Sequence, residues 1–218
     1  MILLNDFQRQ WTLCRDAILA AVESVGASGW YILGKEVEAF ERDLAVFWGL
    51  NLAVGVANGM DGLEIGLRCL GLKAGERVLT TPLTAFATTL AIVRAGGIPV
   101  FVDVDRQGQI DISECKKALS AQPNLRFIVP VHLFGFATTL GGLRDLAENS
   151  KLLILEDCAQ SIGAEEGKLT AGRVGKICAT SFYPTKNLGG IGDGGAILTN
   201  EPEFAERARQ LRNYGQSS

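Results

Sequence analysis

The sequence predicts an α/β fold: a mainly parallel, seven-stranded sheet flanked by helices. Two observations carry that reading. Short apolar runs alternate with stretches of helical periodicity along most of the 218 residues, the pattern that strand–helix–strand crossovers leave in a sequence. Apolar residues make up 47% of the chain and charged residues 21%, which suits strands covered on both faces and argues against disorder. At this length one large core is expected.

The elements follow in order. DFQRQWTLCRDAILAAVESV and, after a loop at GASGWYILG, KEVEAFERDLAVFWG space their apolar residues as helices do, so residues 1–50 read as an amino-terminal helical segment. From residue 51 onward the units alternate. LAVGVAN precedes DGLEIGLRCLGL; RVLTT precedes AFATTLAIVRAG; IPVFVDVD precedes SECKKALSA; FIVPVHLFG precedes LGGLRDLAENS. LLILEDCA and ICATSFYP add two more strands, and AILTN leads into PEFAERARQLRNYG. No linker, repeat or low-complexity tract divides residues 51–218, which read as one large domain.

Ligands of such sheets gather at the carboxyl ends of strands. The residues just after apolar runs are therefore the candidates for chemistry: Asn58 to Asp61, Thr84 to Phe86, His132, Asp157 to Gln160, and Ser181 to Lys186. Net charge is −3, with 21 basic and 24 acidic side chains interspersed, so no basic stripe exists for nucleic acid or an anionic membrane. Five separated cysteines without a CxxC pair suggest neither a disulfide framework nor a zinc site. MILLNDFQRQ lacks a basic stretch followed by a long apolar run, and no run approaches the ~18 apolar residues of a membrane span. A cytoplasmic protein acting on small molecules is expected.

Lys186, in SFYPTKNLGGIGDGGAILTN, follows Asp157, in LLILEDCAQSIGA, by 29 residues. An acid ending one buried strand and a lysine following the next suit pyridoxal phosphate (PLP). Its aldehyde takes a lysine amine, and its pyridine nitrogen takes a carboxylate that keeps it protonated. Each residue alone has a plainer reading: a solvated loop charge for Lys186, and a strand-end acceptor of loop hydrogen bonds for Asp157. Asp157, after LLILE, would be costly to bury without a cationic partner. Gln160 can donate an amide proton to a phenolate oxygen, or stand as a surface amide. ANGMDGLEIGL starts a helix near Gly59, Met60 and Asp61, whose exposed N–H groups suit a phosphate; the alternative is an ordinary turn capped by Asn58 or Asp61. Ser181 offers a hydroxyl on the same edge, or is an unremarkable strand serine.

GGIGDGGA contains a literal G-x-G-x-x-G, but it runs into a strand rather than opening a helix, which refuses a dinucleotide site. A single histidine, His132, rules out histidine-clustered metal sites, and no metal is expected.

With these residues assembled, the chain resembles the DegT/DnrJ/EryC1/StrS family of PLP-dependent sugar aminotransferases, of aspartate aminotransferase fold type I. SGWYILGKEVEAFE, VANGMDGLEIGLRCLGL, TTPLTAFATTLAI, PVFVDVD, PVHLFG, EDCAQSIGA, SFYPTKNLGGIGDGGAILTN and RQLRNYGQ echo family blocks in family order. The resemblance implies that residues 51–218 form the PLP-binding large domain, with Lys186 as the Schiff-base lysine and Asp157 as the pyridine-nitrogen partner. It implies Gln160 at the ring hydroxyl, and Ser181 with the turn at Gly59, Met60 and Asp61 at the phosphate. The family stacks an aromatic on the ring directly after the threonine matching Thr84. Here that place holds Ala85, and Phe86 is the aromatic available. The usual small hydroxyl residue after the phosphate-turn glycine is Met60 here.

The resemblance further implies a homodimer that transfers an amino group, from glutamate, to a nucleotide-linked keto-deoxysugar. Amination at C-3 is favoured over C-4 by SGWYILG and ANGMDGL. Deoxyaminosugar and polysaccharide biosynthesis are the expected settings. Family members continue past RNYGQ into a small carboxyl-terminal domain, so the chain is expected to be truncated, and a non-catalytic or regulatory member is the alternative. A family dehydratase would carry histidine in place of Lys186.

Overall fold

The computed structural model describes residues 4–216; Met1 to Leu3, part of the amino-terminal stretch read above, and the last two serines lie outside it. Two helices open the chain, α1 (Phe7–Ser28) and α2 (Lys35–Trp48). The alternating units are β1 (Leu52–Val56), α3 (Gly59–Cys69), β2 (Arg77–Thr80), α4 (Phe86–Arg94), β3 (Ile98–Phe101), α5 (Ile112–Ala121), β4 (Phe127–Ile128), α6 (Leu140–Ser150) and β5 (Leu153–Asp157). A small hairpin, β6 (Glu165–Glu166) with β7 (Leu169–Thr170), precedes β8 (Ile177–Ser181), β9 (Gly195–Thr199) and α7 (Pro202–Arg212).

Seven strands form one sheet in the order β1-β9-β8-β5-β4-β2-β3. All run the same way except β9, which is antiparallel to both β1 and β8. The reason lies in the connection. No helix separates β8 from β9, and a parallel return needs a crossover of that kind. β4 is shorter than FIVPVHLFG suggests because Pro130 has no N–H to give the ladder; the chain rejoins the sheet only at a bridge from Val131 to Asp157.

Alternation along the strands divides the core into two layers. Leu155, Ile177, Ala179 and Ile197 pack under α3, α4 and α7 with Leu63, Leu67, Ile92 and Ala205. On the other face Cys178, Ala196 and Leu198 meet Leu44 and Trp48 of α2, and Ile128 and Ile154 meet Leu143 and Leu146 of α6. Strands buried on both faces read as continuous apolar runs, which is why LLILE and AILT were legible. α1 has no buried residue. No described helix is long and apolar enough to cross a membrane.

One ion pair ties α2, β1 and α7 together. Glu41 Oε1 accepts from the Gly55 N–H at 2.7 Å and from Arg212 Nη1, which also donates to the Gly55 carbonyl at 3.0 Å. Both side chains are nearly buried. Glu41→Ala strands a buried guanidinium and is expected to cost about 3–5 kcal/mol, read as a lower urea midpoint. Pairing Glu41→Leu with Arg212→Met removes both charges and is expected to restore most of the loss.

Candidate active site

Because β1, β2, β4, β5 and β8 share one direction, their carboxyl ends form a single edge. Asp157 closes β5 there and is only 5% exposed. Its register partner on β8 is Ala179, and Ser181 lies two residues further along the same strand face. Asp157 and Ser181 therefore stand on the α3/α4 side of the sheet, about 8 Å apart by strand spacing and rise. That suits a ring carrying a short phosphoester arm.

Each oxygen of Asp157 has one neutral donor. Thr88 Oγ1 donates to Oδ2 at 2.8 Å and the Ala159 N–H to Oδ1 at 3.1 Å. Among the described residues no cation reaches ion-pair distance. Burial pushes this carboxyl above its ordinary value, against the opposing pull of the Thr88 hydroxyl, the Ala159 amide and the Lys186 ammonium. A buried carboxylate with acceptor capacity to spare calls for a ligand N–H⁺.

Lys186 sits in the loop between β8 and β9, half-buried, its N–H donating to the Tyr183 carbonyl at 2.8 Å. Its ammonium has no hydrogen-bond partner among the described residues. The loop folds on itself through Phe182 N–H to Gly194 and Gly190 N–H to Phe182, both 2.8 Å. At Gly195 a Cβ would collide with the Asn58 backbone, so only glycine lets this loop meet the turn after β1.

That turn starts α3. Asn58 Oδ1 accepts from the Asp61 N–H at 2.8 Å and Asn58 Nδ2 donates to the Asp61 carboxylate at 3.1 Å. The Asp61 amide is thus committed to the cap, and its carboxylate is drawn toward Arg94 at 3.7 Å. The N–H groups of Gly59 and Met60 have no partner among the described residues and remain for an anion. Met60 turns its side chain into the core beside Leu63. A Cβ on Gly59 would stand 2.7 Å from Ser181 Cβ, so the turn and Ser181 are in contact. Ser181 Oγ accepts from the Tyr183 N–H at 3.3 Å, leaving its own proton for a ligand.

Gln160 Oε1 accepts from the Phe134 N–H at 2.9 Å, which leaves the amide NH₂ as the free end. Phe134 takes a left-handed φ of 59°, a conformation that costs a non-glycine residue and is held here by that bond. Phe86 is 75% exposed. It precedes Thr88 by two positions in α4 and so projects about 200° away from the side that reaches Asp157. Thr84, by contrast, meets Thr88 at 2.8 Å on the side that reaches Asp157.

Beneath the edge, on the opposite sheet face, lies a group that sequence reasoning missed. Glu156 is fully buried and accepts from the N–H groups of Gly172 (2.8 Å), Val174 (2.9 Å) and Gly175 (2.7 Å), and from His132 Nε2 (2.9 Å). Burial works against an imidazolium here, but Cys158 and Glu156 together outweigh it and push the imidazole pKa up to about 10; the hydrogen-bond geometry, however, does not admit a proton on both nitrogens. The Thr138 N–H decides the matter: it donates to Nδ1 at 2.9 Å, so Nδ1 carries no proton and the ring is the neutral Nε2–H tautomer. Burial also pushes the Cys158 thiol up, keeping it protonated. His132, Glu156 and Cys158 converge within 4.8 Å, held together by the Nε2–H to Glu156 hydrogen bond. The trio is a structural brace.

A 750 Å³ concavity lined by residues of 75–77 and 121–127 lies at the amino ends of β2 and β4. It has volume without convergent polar groups in need of partners, whereas the carboxyl edge has those groups. The edge set fits a phosphorylated pyridine aldehyde: an anion for a ring N–H⁺, an amine, an amide donor, and a hydroxyl with two helix-terminal amides.

Comparison with known proteins agrees with that fit. The profile of the DegT/DnrJ/EryC1/StrS aminotransferase family matches residues 13–218. The dTDP-3-amino-3,4,6-trideoxy-alpha-D-glucose transaminase of Micromonospora megalomicea subsp. nigra is 43% identical over 97% of this chain and 55% of its own length. DesV of S. venezuelae, solved in complex with ketimine intermediate, superposes with a TM-score of 0.93 at 40% identity, covering 98% of this chain and 57% of that one. The ntda protein from Bacillus subtilis, solved with bound cofactor PMP, gives a TM-score of 0.84 at 33% identity, covering 89% and 44%. The chain spans about half the length of the curated relatives it matches, 55% of the first.

The raised Asp157 pKa fixes a sign. A carboxyl that holds its proton more tightly in the folded state weakens folding as pH rises from the ordinary carboxyl value through the folded one. Asp157→Asn is therefore expected to raise the melting temperature of the cofactor-free protein at neutral pH. That gain should vanish below the ordinary aspartate pKa of about 4, as measured by thermal unfolding across pH.

Proposed function

The chain belongs to the DegT/DnrJ/EryC1/StrS aminotransferase family, and from that premise we propose that it binds PLP and serves the transfer of an amino group, from glutamate, to the keto carbon of a nucleotide-linked deoxysugar. C-3 is the preferred position, in keeping with the name of the Micromonospora relative. The observation that carries the reading is the buried Asp157 carboxylate, short of a cation, beside a lysine with no hydrogen-bond partner.

Bound at this edge, PLP supplies an electron sink for the carbon that gains or loses the amine, and carries the amino group between donor and acceptor. The remaining work falls to the chain. Asp157 would accept from the ring N–H⁺ and favour its protonated form. Ser181 and the amides of Gly59 and Met60 hold the phosphate at the start of α3, with Asp61 engaged in the cap rather than the ligand. Gln160 gives its NH₂ to the ring hydroxyl, its carbonyl end being fixed by Phe134. Lys186 would hold the cofactor aldehyde through its amine, and the freed amine would be the group that moves a proton at the reacting carbon.

A homodimer is part of the proposal. α1 exposes Trp11, Leu13 and Val22, apolar surface that a second copy would cover.

The test separates loading from turnover. PLP added to the purified chain is expected to give a visible absorbance band that Lys186→Ala abolishes, and glutamate is expected to convert the wild-type band to the pyridoxamine form. Lys186→Ala should slow glutamate-dependent formation of pyridoxamine phosphate, read by chromatography of the released cofactor, by about 10²–10⁴-fold or more. No band in the wild type rejects the cofactor reading. A band that glutamate leaves unchanged rejects the transaminase and favours the regulatory alternative.

A further inference from the structure

A threonine inside a helix ordinarily turns its hydroxyl back to the carbonyl four residues earlier. Thr88, third residue of α4 and fully buried, does otherwise. Its Oγ1 lies 2.8 Å from Asp157 Oδ2 and 2.8 Å from Thr84 Oγ1. An ionised carboxylate only accepts, so the single Thr88 proton goes to Asp157. With that proton spent, the Thr84 contact can only be Thr84 donating to Thr88. The three groups form one directed chain, Thr84 O–H to Thr88 O–H to carboxylate, in which each bond polarises the next.

From this geometry we infer that Thr88, reinforced by Thr84, is a positioning residue that keeps Asp157 ionised and aimed at the cofactor's ring nitrogen. The inference rests on the proposed PLP reading. Thr88 fixes one oxygen and the Ala159 amide the other, so the carboxylate cannot rotate, and the capacity left on each oxygen faces the ligand. Thr88 is also β-branched, which stiffens χ1 and holds the hydroxyl on its bearing.

The neighbouring charges leave room for this role. The groups facing Asp157 are Lys186, from the loop after β8, and His132, from the exit of β4; the latter is held neutral by Thr138. Glu156 and Cys158 point to the opposite sheet face. The one cation of α4, Arg94, is engaged with Glu64 at 2.8 Å and drawn toward Asp61. Thr88 is the first of the influences that favour the charged carboxyl against burial.

The experiment follows the Asp157 carboxyl by ¹³C NMR or infrared titration in the cofactor-free protein, the signal assigned by its loss in Asp157→Asn, with PLP affinity measured in parallel. Thr88→Val, nearly isosteric, is expected to move the titration to higher pH and weaken PLP about tenfold. Thr88→Ser should restore both, and Thr84→Val should shift both the same way by less. A Thr88→Val titration that overlays the wild type, or a Thr88→Ser variant no better than valine, overturns the inference. If Thr88→Val fails to fold, Thr84→Val carries the decision, because it leaves Thr88 in place. A normal titration shift in a protein that binds no PLP would instead sink the cofactor reading and, with it, the aim toward a ring nitrogen, leaving only the tuning of Asp157.

Discussion

A carboxylate at the end of a buried strand, given two neutral donors and no close cation, is the constraint on which the rest of this molecule turns. Removing an anion from water costs several kcal/mol unless opposite charge or enough hydrogen bonds replace the solvent. Asp157 receives part of that compensation, from Thr88 and Ala159, and burial still prevails. The fold could have completed it with an arginine from α4 and did not. Arg94 is turned to the far side, toward Asp61 and Glu64. What the scaffold leaves undone at Asp157 is, in the proposed reading, the work of a ligand.

The adjacent acid shows that the incompleteness is local. Glu156 points to the opposite face of the same strand, equally removed from water, and collects four donors. Through them it fixes the chain at Gly172 to Gly175 and the ring of His132, and so braces the floor beneath the reactive edge. Two acids side by side in sequence thus meet opposite fates because strand alternation sends them to different layers. One is saturated with four donors; the other has two and keeps acceptor capacity.

Much of this was legible in the sequence because apolar periodicity reports burial directly. All seven strands and all seven helices were anticipated, and Lys186, Asp157, Gln160 and Ser181 all fall at the strand ends where the pattern put them. The errors have physical causes. Pro130 cut β4 to two residues, and the hairpin at 165–170 is too short to show a period. Thr88 escaped because a threonine in a helix has ordinary local uses; only the 69-residue separation between Thr88 and Asp157, closed by the fold, reveals it, whereas Asn58, read as a possible cap, is the cap of α3. Asp61 was read as a phosphate donor, and its amide instead serves the cap. Phe86 is where the sequence put an aromatic, but helical rotation sends it outward. The position where the family pattern puts a stacking aromatic holds Ala85.

Volume and chemistry point to different places on this protein, and the difference is instructive. The 750 Å³ concavity at the amino ends of β2 and β4 is lined by Glu76, Arg77 and Arg126. Glu76 and Arg126 already pair with each other at 2.9 Å, and Arg77 Nη1 reaches Gln122 Oε1 at 2.6 Å. Polar groups that satisfy one another in water have little left to offer a ligand. At the opposite edge the Lys186 ammonium, the Ser181 proton, the Gln160 NH₂, two α3 amides and the spare acceptor capacity of Asp157 all lack internal partners. Their common position at one edge of the sheet supports the proposed cofactor site there.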